Sequence, residues 1–308
     1  GMALARAELT GPSLSRLRPK LRQTAMALWG LYLLLTVLEM LALKFIGGMT
    51  LFDSVNHAFT TMPSGGFSTH DESIAYYDSA TIELIIIVFM FLAGVNFTLM
   101  WLMGSGNIKA AIQDEEFRTY LLYILAAVVL IVSSLVLVGM SFGQSLLDTL
   151  FHVLSIGTST GYASADYASW PGVARIVLFL LMIVGACAGS TSGGLKLMRI
   201  RIGVKVAFRE LARIAKPRKI HVIRMNDEVV EQKQVSLVVG MLFIWVILFG
   251  FSCIVLAMMM PDESFETIFS VAASGLGNTG PALGAYGPTQ TWALSLIHIS
   301  EPTRPPEI

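Results

Sequence analysis

An acidic residue, a short apolar stretch and a polar knot centred on glycine follow one another three times in this chain. The knots share a glycine next to or near Ser, Thr or Asn and comprise residues 63–67, 158–162 and 277–281. The acid precedes its glycine by thirteen residues twice and by fourteen once, in the pairs Asp53 and Gly66, Asp148 and Gly161, and Glu266 and Gly280. A repeat of this kind predicts a fold made of equivalent units.

The composition and the placement of charge indicate a membrane protein. Hydrophobic residues make up 55% of the chain and charged residues only 14%. Eighteen of the 21 Lys and Arg fall in three blocks, residues 6–22, 109–118 and 196–233. The segments around the knots contain acids but no Lys or Arg. By the positive-inside rule, the basic blocks are expected to be cytoplasmic and the knots to face outward.

Apolar runs of two lengths alternate along the chain. Runs long enough to cross the hydrocarbon core, which takes roughly 20 residues, occupy residues 25–46, 81–103, 119–140 and 235–259, and a fifth begins near 173. Two shorter runs, 51–61 and 144–157, reach only halfway and are expected to re-enter. The sequence therefore predicts an all-α membrane protein of tandem parallel repeats, each a transmembrane helix, a re-entrant pore helix with a filter loop, and a second transmembrane helix.

The repeats divide the chain into segments. The predicted divisions are a basic cytoplasmic segment (1–23), a first pore repeat (24–104), a second (118–213), a basic cytoplasmic segment (195–233), an incomplete third repeat (234–292) and an atypical tail (293–308). The basic segment 195–233 is expected to be a solvated, orientation-setting loop or a docking surface for a cytosolic partner. The tail is expected to be a truncation or a sequence artefact, because prolines and charges end any helix there.

The knots suit the coordination of a dehydrated monovalent cation by backbone carbonyl oxygens. Glycine permits the required backbone angles, and the carboxyl end of each half-helix favours a cation. The predicted filter residues are Ser64, Gly65, Gly66, Ser159, Thr160, Gly161, Asn278, Thr279 and Gly280. Asp53, Asp148 and Glu266 are expected near the amino ends of the half-helices. Asp71 and Asp166 are expected at the outer mouth of the pore or as solvated loop acids.

These residues resemble a known family. The stretches 64–71, 158–163 and 275–281 are similar to the second, third and fourth filters of the Trk/Ktr bacterial potassium-uptake proteins, and the resemblance runs from about residue 2 to 292. It implies four filter units around one pore in the parent protein, of which the first unit and the last span are absent here, so an internal fragment is expected. It also implies a homodimer and a cytosolic nucleotide-binding regulatory subunit.

Ten small residues, 185–194, interrupt the fifth apolar run. Their glycines at a spacing of four are consistent with a helix-packing face, whereas their glycine content also suits a loop in the pore. The family resemblance favours the loop and implies an intramembrane gate. The gate residues it implies are Gly185, Gly189, Ser190, Thr191, Ser192, Gly193 and Gly194.

Several isolated polar residues have structural roles that need no ion contact, and two other function classes are alternatives to a pore. Asn96, in mid-span, is expected to make an interhelical hydrogen bond. His57 and His152, on the half-helices, are expected to pack or hydrogen-bond rather than to bind metal. Residues 157–161 fit the G-x-S-x-G motif of a serine hydrolase, which requires a strand before it and a helix after it. A secondary transporter with a midplane site is the nearer alternative.

The sequence therefore predicts potassium uptake across a bacterial inner membrane by a multi-pass protein with cytoplasmic basic loops. The transported ion is K⁺, no organic cofactor is expected, and the protein is not expected to be an enzyme or to bind nucleic acid. Membrane lipid surrounds it, and the regulatory subunit is expected to dock on residues 195–233.

Overall fold

The structure, a computed structural model, describes residues 21–215, 222–226 and 228–287. Helices dominate these residues and are numbered in chain order: α1 Leu21–Phe45, α2 Leu51–Thr61, α3 Ala80–Ala93, α4 Phe97–Gly104, α5 Ile108–Gln113, α6 Glu115–Leu137, α7 Phe142–Gly157, α8 Gly172–Val184, α9 Leu197–Ala215, α10 Gln232–Met259 and α11 Phe265–Gly277. A two-residue pair, β1 Arg224–Met225 and β2 Glu228–Val229, forms an antiparallel ladder. The predictions for residues 1–20 and 293–308 lie outside the described residues.

Three helices within the described residues are long and apolar enough to cross a membrane. They are residues 25–45 of α1, all of α6 and all of α10. The pair α3 and α4 adds a fourth if it is counted as one bent span, and α8 is a shorter apolar helix. The predicted all-α membrane class is confirmed.

Three short helices, α2, α7 and α11, precede the knots. Each begins at a Ser or Thr whose hydroxyl accepts a backbone N–H of the first turn: Thr50, Ser141 and Ser264. Such caps satisfy amide groups that have no partner inside the helix. Asp53 and Glu266 lie in the first turn, as predicted. The prediction for Asp148 was wrong, because α7 starts at Phe142 and Asp148 lies in its second turn.

The apolar run predicted as one span over residues 81–103 is divided into two helices. Its halves, α3 and α4, meet at an angle of 102°. The Asn96 side chain accepts the N–H groups of Thr98 at 2.9 Å and Leu99 at 3.4 Å, and so caps α4. The side-chain oxygen of Asn96 therefore bonds to backbone groups of its own helix and, within the described part of the chain, does not make the interhelical hydrogen bond predicted from sequence. A residue that can bond nearby backbone groups favours a new helix start over continuation.

Two apolar clusters hold the pore helices against the long helices. In one, Ile131 of α6 and Leu178 of α8 pack around α7 and reach Ala273 of α11. In the other, Leu43 of α1 and Ile86 of α3 enclose the opposite face of α7. The helix α7 is therefore the most enclosed of the three, and ten of its sixteen residues are buried.

The basic segment 195–233 contains more structure than the predicted loop. Most of its first half is α9, a 19-residue helix, which packs along α10 and also contacts α6. Arg201 and Lys205 of α9 both pair with Glu115 at the start of α6, at 2.5 and 2.8 Å. This end of the molecule thus joins α6, α9 and α10.

Candidate functional site

The three knots adopt the same backbone shape. In each, the residue two before the glycine has a positive φ: +58° at Ser64, +54° at Ser159 and +53° at Asn278. The glycines themselves also have positive φ: +65° at Gly66, +86° at Gly161 and +101° at Gly280. Residues with a Cβ adopt this region at a cost, so its threefold recurrence supports the equivalence inferred from spacing.

The end of each pore helix turns the amide groups of its knot inward. The N–H groups of Gly65, Thr160 and Thr279 donate to the carbonyl six residues before the knot glycine, at 2.8, 2.8 and 2.9 Å. Within the described residues, the carbonyl oxygens of residues 64–66, 159–161 and 278–280 accept no hydrogen bond. The knots therefore present rows of unpaired carbonyl oxygens, which is the chemistry needed to replace the water around a monovalent cation.

The knots also lie against one another. A Cβ on Gly66 would overlap the carbonyl oxygen of Thr160, and one on Gly161 would overlap the carbonyl oxygen of Thr279. Glycine is therefore required at both positions by close approach as well as by φ. The fold brings together predicted filter residues that are 95 and 119 positions apart in sequence.

Two tyrosines tie neighbouring repeats together behind the knots. Tyr162 follows the second knot glycine, and its hydroxyl lies 2.6 Å from Thr60 Oγ1 and donates to the His57 carbonyl at 3.2 Å, both on α2. Tyr167 donates to the carbonyl of Ala282, in the third repeat, at 3.2 Å. Both tyrosines are fully buried. These hydrogen bonds thus fix the position of each repeat relative to the next.

Replacing Tyr162 with phenylalanine is expected to destabilise the protein by about 1 kcal/mol, because the partly buried Thr60 hydroxyl and the carbonyl of the buried His57 each lose one partner while the ring stays packed. The loss is measured as a lower midpoint of thermal unfolding in detergent. The matched control is Tyr76→Phe, whose side chain is 55% exposed. Equal midpoints for the two variants would contradict the expectation.

The predicted gate segment, residues 185–194, is a loop and not part of a packed helix. Helix α8 ends at Val184, and α9 begins at Leu197. The loop approaches all three knots. Thr191 Oγ1 lies 2.9 Å from Ser64 Oγ. Gly193 donates its N–H to Ser159 Oγ, and a Cβ on Gly193 would overlap the carbonyl of Gly277.

The break between α3 and α4 holds the other side of the gate segment. Because the helix is interrupted there, two backbone groups are free to pair with the loop: Gly94 accepts from Cys187 and Phe97 donates to Gly189, each at 3.1 Å. Gly189, with φ of +72°, packs directly against the Asn96 side chain. The break between α3 and α4 therefore forms the surface against which the gate segment packs.

Two charged side chains complete the attachment of the gate segment. Glu116, in the first turn of α6 and only 6% exposed, accepts the N–H of Ala188 at 2.6 Å. Lys196 donates to the carbonyl oxygen of Ser192, and its Nζ lies 3.0 Å from Ser192 Oγ. Sequence reasoning missed both residues. The signal available for Glu116 was an acid at the edge of an otherwise apolar span.

The remaining predicted gate and mouth residues lie as follows. The Ser190 and Ser192 hydroxyls are 2.8 Å apart within the loop, and Gly185 and Gly194 pack against each other at its neck. Asp71 is exposed. Asp166 is partly buried and accepts the N–H of Ala168 at 3.1 Å. Asp166 thus has a structural partner, whereas Asp71 makes no hydrogen bond or ion pair with the part of the chain that the structure describes.

The geometry does not suit the serine-hydrolase alternative. That motif places its serine between a strand and a helix. Here α7 precedes Ser159, and an extended segment follows it. The Ser159 hydroxyl donates to the carbonyl of Thr158 at 2.7 Å and accepts from Gly193. Its role in this structure is to hold the gate segment.

The fold and the site define a multi-pass membrane protein built from pore-loop repeats. The chain belongs to the TrkH family of cation transport proteins, whose family model matches residues 1–300.

Individual relatives agree with this assignment. The chain is 36% identical over 307 residues to the Trk system potassium uptake protein TrkH of Salmonella typhimurium, covering 96% of this chain and 62% of that protein. It is 33% identical over 288 residues to TrkG of Escherichia coli, covering 92% of this chain and 59% of that protein. The crystal structure of the potassium transporter TrkH from Vibrio parahaemolyticus superposes with a TM-score of 0.81 at 32% identity, covering 96% of this chain and 65% of that one.

Proposed function

We propose that this chain forms three filter units of a pathway for potassium uptake, with K⁺ held by the carbonyl oxygens of the knots. The observation that carries the proposal is the convergence of three knots of identical backbone shape, with Gly66 against the Thr160 carbonyl and Gly161 against the Thr279 carbonyl. Unpaired carbonyls at close quarters supply cation ligands without fixed charge. The relatives named for potassium uptake support K⁺ as the cargo. The chain spans less than two thirds of their length, so the proposal concerns the whole protein.

The gate segment, residues 185–194, obstructs this pathway on the side of the knots that faces α9. Its contacts with Ser64, Ser159 and Gly277 support the obstruction, since one short loop touches all three filter units. Opening requires that these contacts break together. Asp71 and Asp166 raise the local concentration of cations at the opposite, outer mouth.

The distribution of charge supports the membrane orientation, and the family resemblance supports the partners. The basic side chains of α9 mark the cytoplasmic side of a bacterial inner membrane: Arg199, Arg201, Lys205, Arg209 and Arg213. A cytosolic nucleotide-binding regulatory subunit docks on residues 195–233 and acts on the loop through α9, which follows it directly. The protein works as a homodimer in the membrane.

Growth complementation tests the proposal. The complete reading frame that carries these residues is expressed in a bacterial strain lacking its own potassium-uptake systems, on low-potassium medium. Growth is expected, together with uptake of Rb⁺ as a K⁺ substitute. A protein that reaches the membrane in normal amount but carries neither K⁺ nor Na⁺ would overturn the proposed function.

A further inference from the structure

Each pore helix has a fully buried polar side chain that accepts a hydrogen bond from the chain leaving the knot, and the mechanism described above does not use this side chain. We call the residues after each knot glycine the outgoing arm: 67–71, 162–166 and 281–284. The side chains in question lie four residues after the acid of each repeat and are His57, His152 and Ser270. All three are fully buried.

In the second repeat the contact defines the protonation state of the histidine. His152 Nδ1 lies 2.8 Å from the carbonyl oxygen of Asp148, which can only accept, so Nδ1 carries the hydrogen. Nε2 faces the backbone N–H groups of Ser164 and Ala165, at 3.4 and 3.5 Å, and so accepts. His152 is therefore the neutral Nδ1–H tautomer, and its lone pair holds the second arm.

The first repeat uses the same side chain in the same way. His57 Nδ1 lies 2.8 Å from the Asp53 carbonyl and its Nε2 lies 3.0 Å from Ser68 Oγ. Ser68 in turn accepts the N–H of His70 at 3.2 Å, so its own hydroxyl hydrogen is free to donate to His57. The bonds therefore run from the first arm, through Ser68, to the pore helix.

The third repeat reaches the same result with a different residue. Ser270 donates to the Thr267 carbonyl at 2.9 Å and accepts the N–H of Leu283, on the third arm, at 3.0 Å. In all three repeats a buried side chain thus donates back along its own helix and accepts from the arm. Three independent instances of one bond pattern, made by two residue types, point to a shared task.

We infer that His57, His152 and Ser270 are positioning residues that set the depth of the filter carbonyls by accepting a hydrogen bond from the outgoing arm. Each knot is fixed at its start by the end of the pore helix, and this bond holds the outgoing arm two to four residues beyond the knot glycine. The inference rests on the proposed function for its consequence, ion affinity. The geometry of the arms stands without it.

The test compares variants that remove the acceptor with variants that restore it. In the complete reading frame, Ser270→Ala and His152→Leu remove it, whereas Ser270→Thr and His152→Gln supply an oxygen at a similar distance. Ser145→Ala is the matched control, since Ser145 is also a fully buried serine on a pore helix, and its hydroxyl has no hydrogen-bond partner among the described residues.

The readout is the apparent KM for Rb⁺ uptake, measured beside the maximal rate. Loss of the acceptor is expected to raise KM about tenfold, the effect of roughly one buried hydrogen bond, while Ser145→Ala leaves KM unchanged. A merely structural role would lower the amount of protein and the maximal rate, not KM. An unchanged KM in folded Ser270→Ala, or no rescue by either restoring variant, would overturn the inference.

Amide hydrogen exchange separates this inference from the proposed function. In Ser270→Ala the Leu283 amide is expected to exchange faster, and in His152→Leu the amides of Ser164 and Ala165, with the other arms unchanged. If the wild-type protein carried no cation but these amides responded, the proposed function would fail and the positioning of the arms would stand. If the amides did not respond in folded variants, the positioning role would fail.

Discussion

Replacing Gly66 with alanine is expected to reduce Rb⁺ uptake by about 100-fold in the complementation strain, the scale of loss that follows when reacting groups are misplaced by about an ångström. The new Cβ would overlap the carbonyl oxygen of Thr160, which belongs to the neighbouring filter unit. Neither backbone can retreat far, because Tyr162 anchors the second unit to α2. Two sets of the carbonyl oxygens that we propose as cation ligands therefore move together.

The control for this prediction separates backbone strain from close approach. Gly48 also has a positive φ, +75°, but a Cβ there would meet nothing within 4 Å among the described residues. Gly48→Ala therefore carries the same conformational cost, about 1–2 kcal/mol, without the overlap. Uptake by Gly48→Ala is expected to stay near the wild-type rate at equal membrane abundance. Equal losses in the two variants would mean that strain alone is responsible.

Removing the Glu116 carboxylate is expected to open the gate segment. In Glu116→Ala the buried N–H of Ala188 loses its acceptor at 2.6 Å, and an unpaired buried amide costs about 1–3 kcal/mol. If this cost falls only on the closed loop, the open population rises by about 5- to 150-fold. The measurement is basal Rb⁺ flux through the purified protein in vesicles without any added regulatory protein.

The adjacent acid provides the control for Glu116. Glu115 pairs with Arg201 and Lys205 at a partly exposed surface, where such pairs contribute about 0–1 kcal/mol, and it makes no contact with the loop in any described residue. Glu115→Ala removes a side chain of the same size and type from the same helical turn, yet basal flux is expected to change little. A flux increase as large in Glu115→Ala, or none in Glu116→Ala, would contradict the role given to Glu116.

The sequence predicted best the features that depend on residues close together along the chain. The lengths of the apolar runs matched α1, α6 and α10, and the spacing of the knot glycines matched the positive φ values found in all three repeats. The prediction was weaker at helix ends. The start of α7 lies before the predicted 144, because Ser141 can cap a helix that hydropathy alone does not delimit.

Contacts between segments far apart in the sequence could not be predicted in this way. The helix break at Asn96 lies inside a continuous apolar run of the sequence. Its structural reason is the contact with the loop 185–194, which the sequence around Asn96 does not reveal. The bond between Glu116 and Ala188 joins residues 72 apart, and that between Ser64 and Thr191 joins residues 127 apart. No periodicity in either segment encodes such a partner.

The sequence by itself determined the membrane class, the number of knots and their glycine geometry, because hydropathy, helix length and backbone φ depend on residues close along the chain. Tertiary structure alone decided which carbonyl faces which glycine, where the loop 185–194 rests and which side chains hold the arms. These depend on packing distances of a few tenths of an ångström between elements, and such distances are fixed only when every helix is in place.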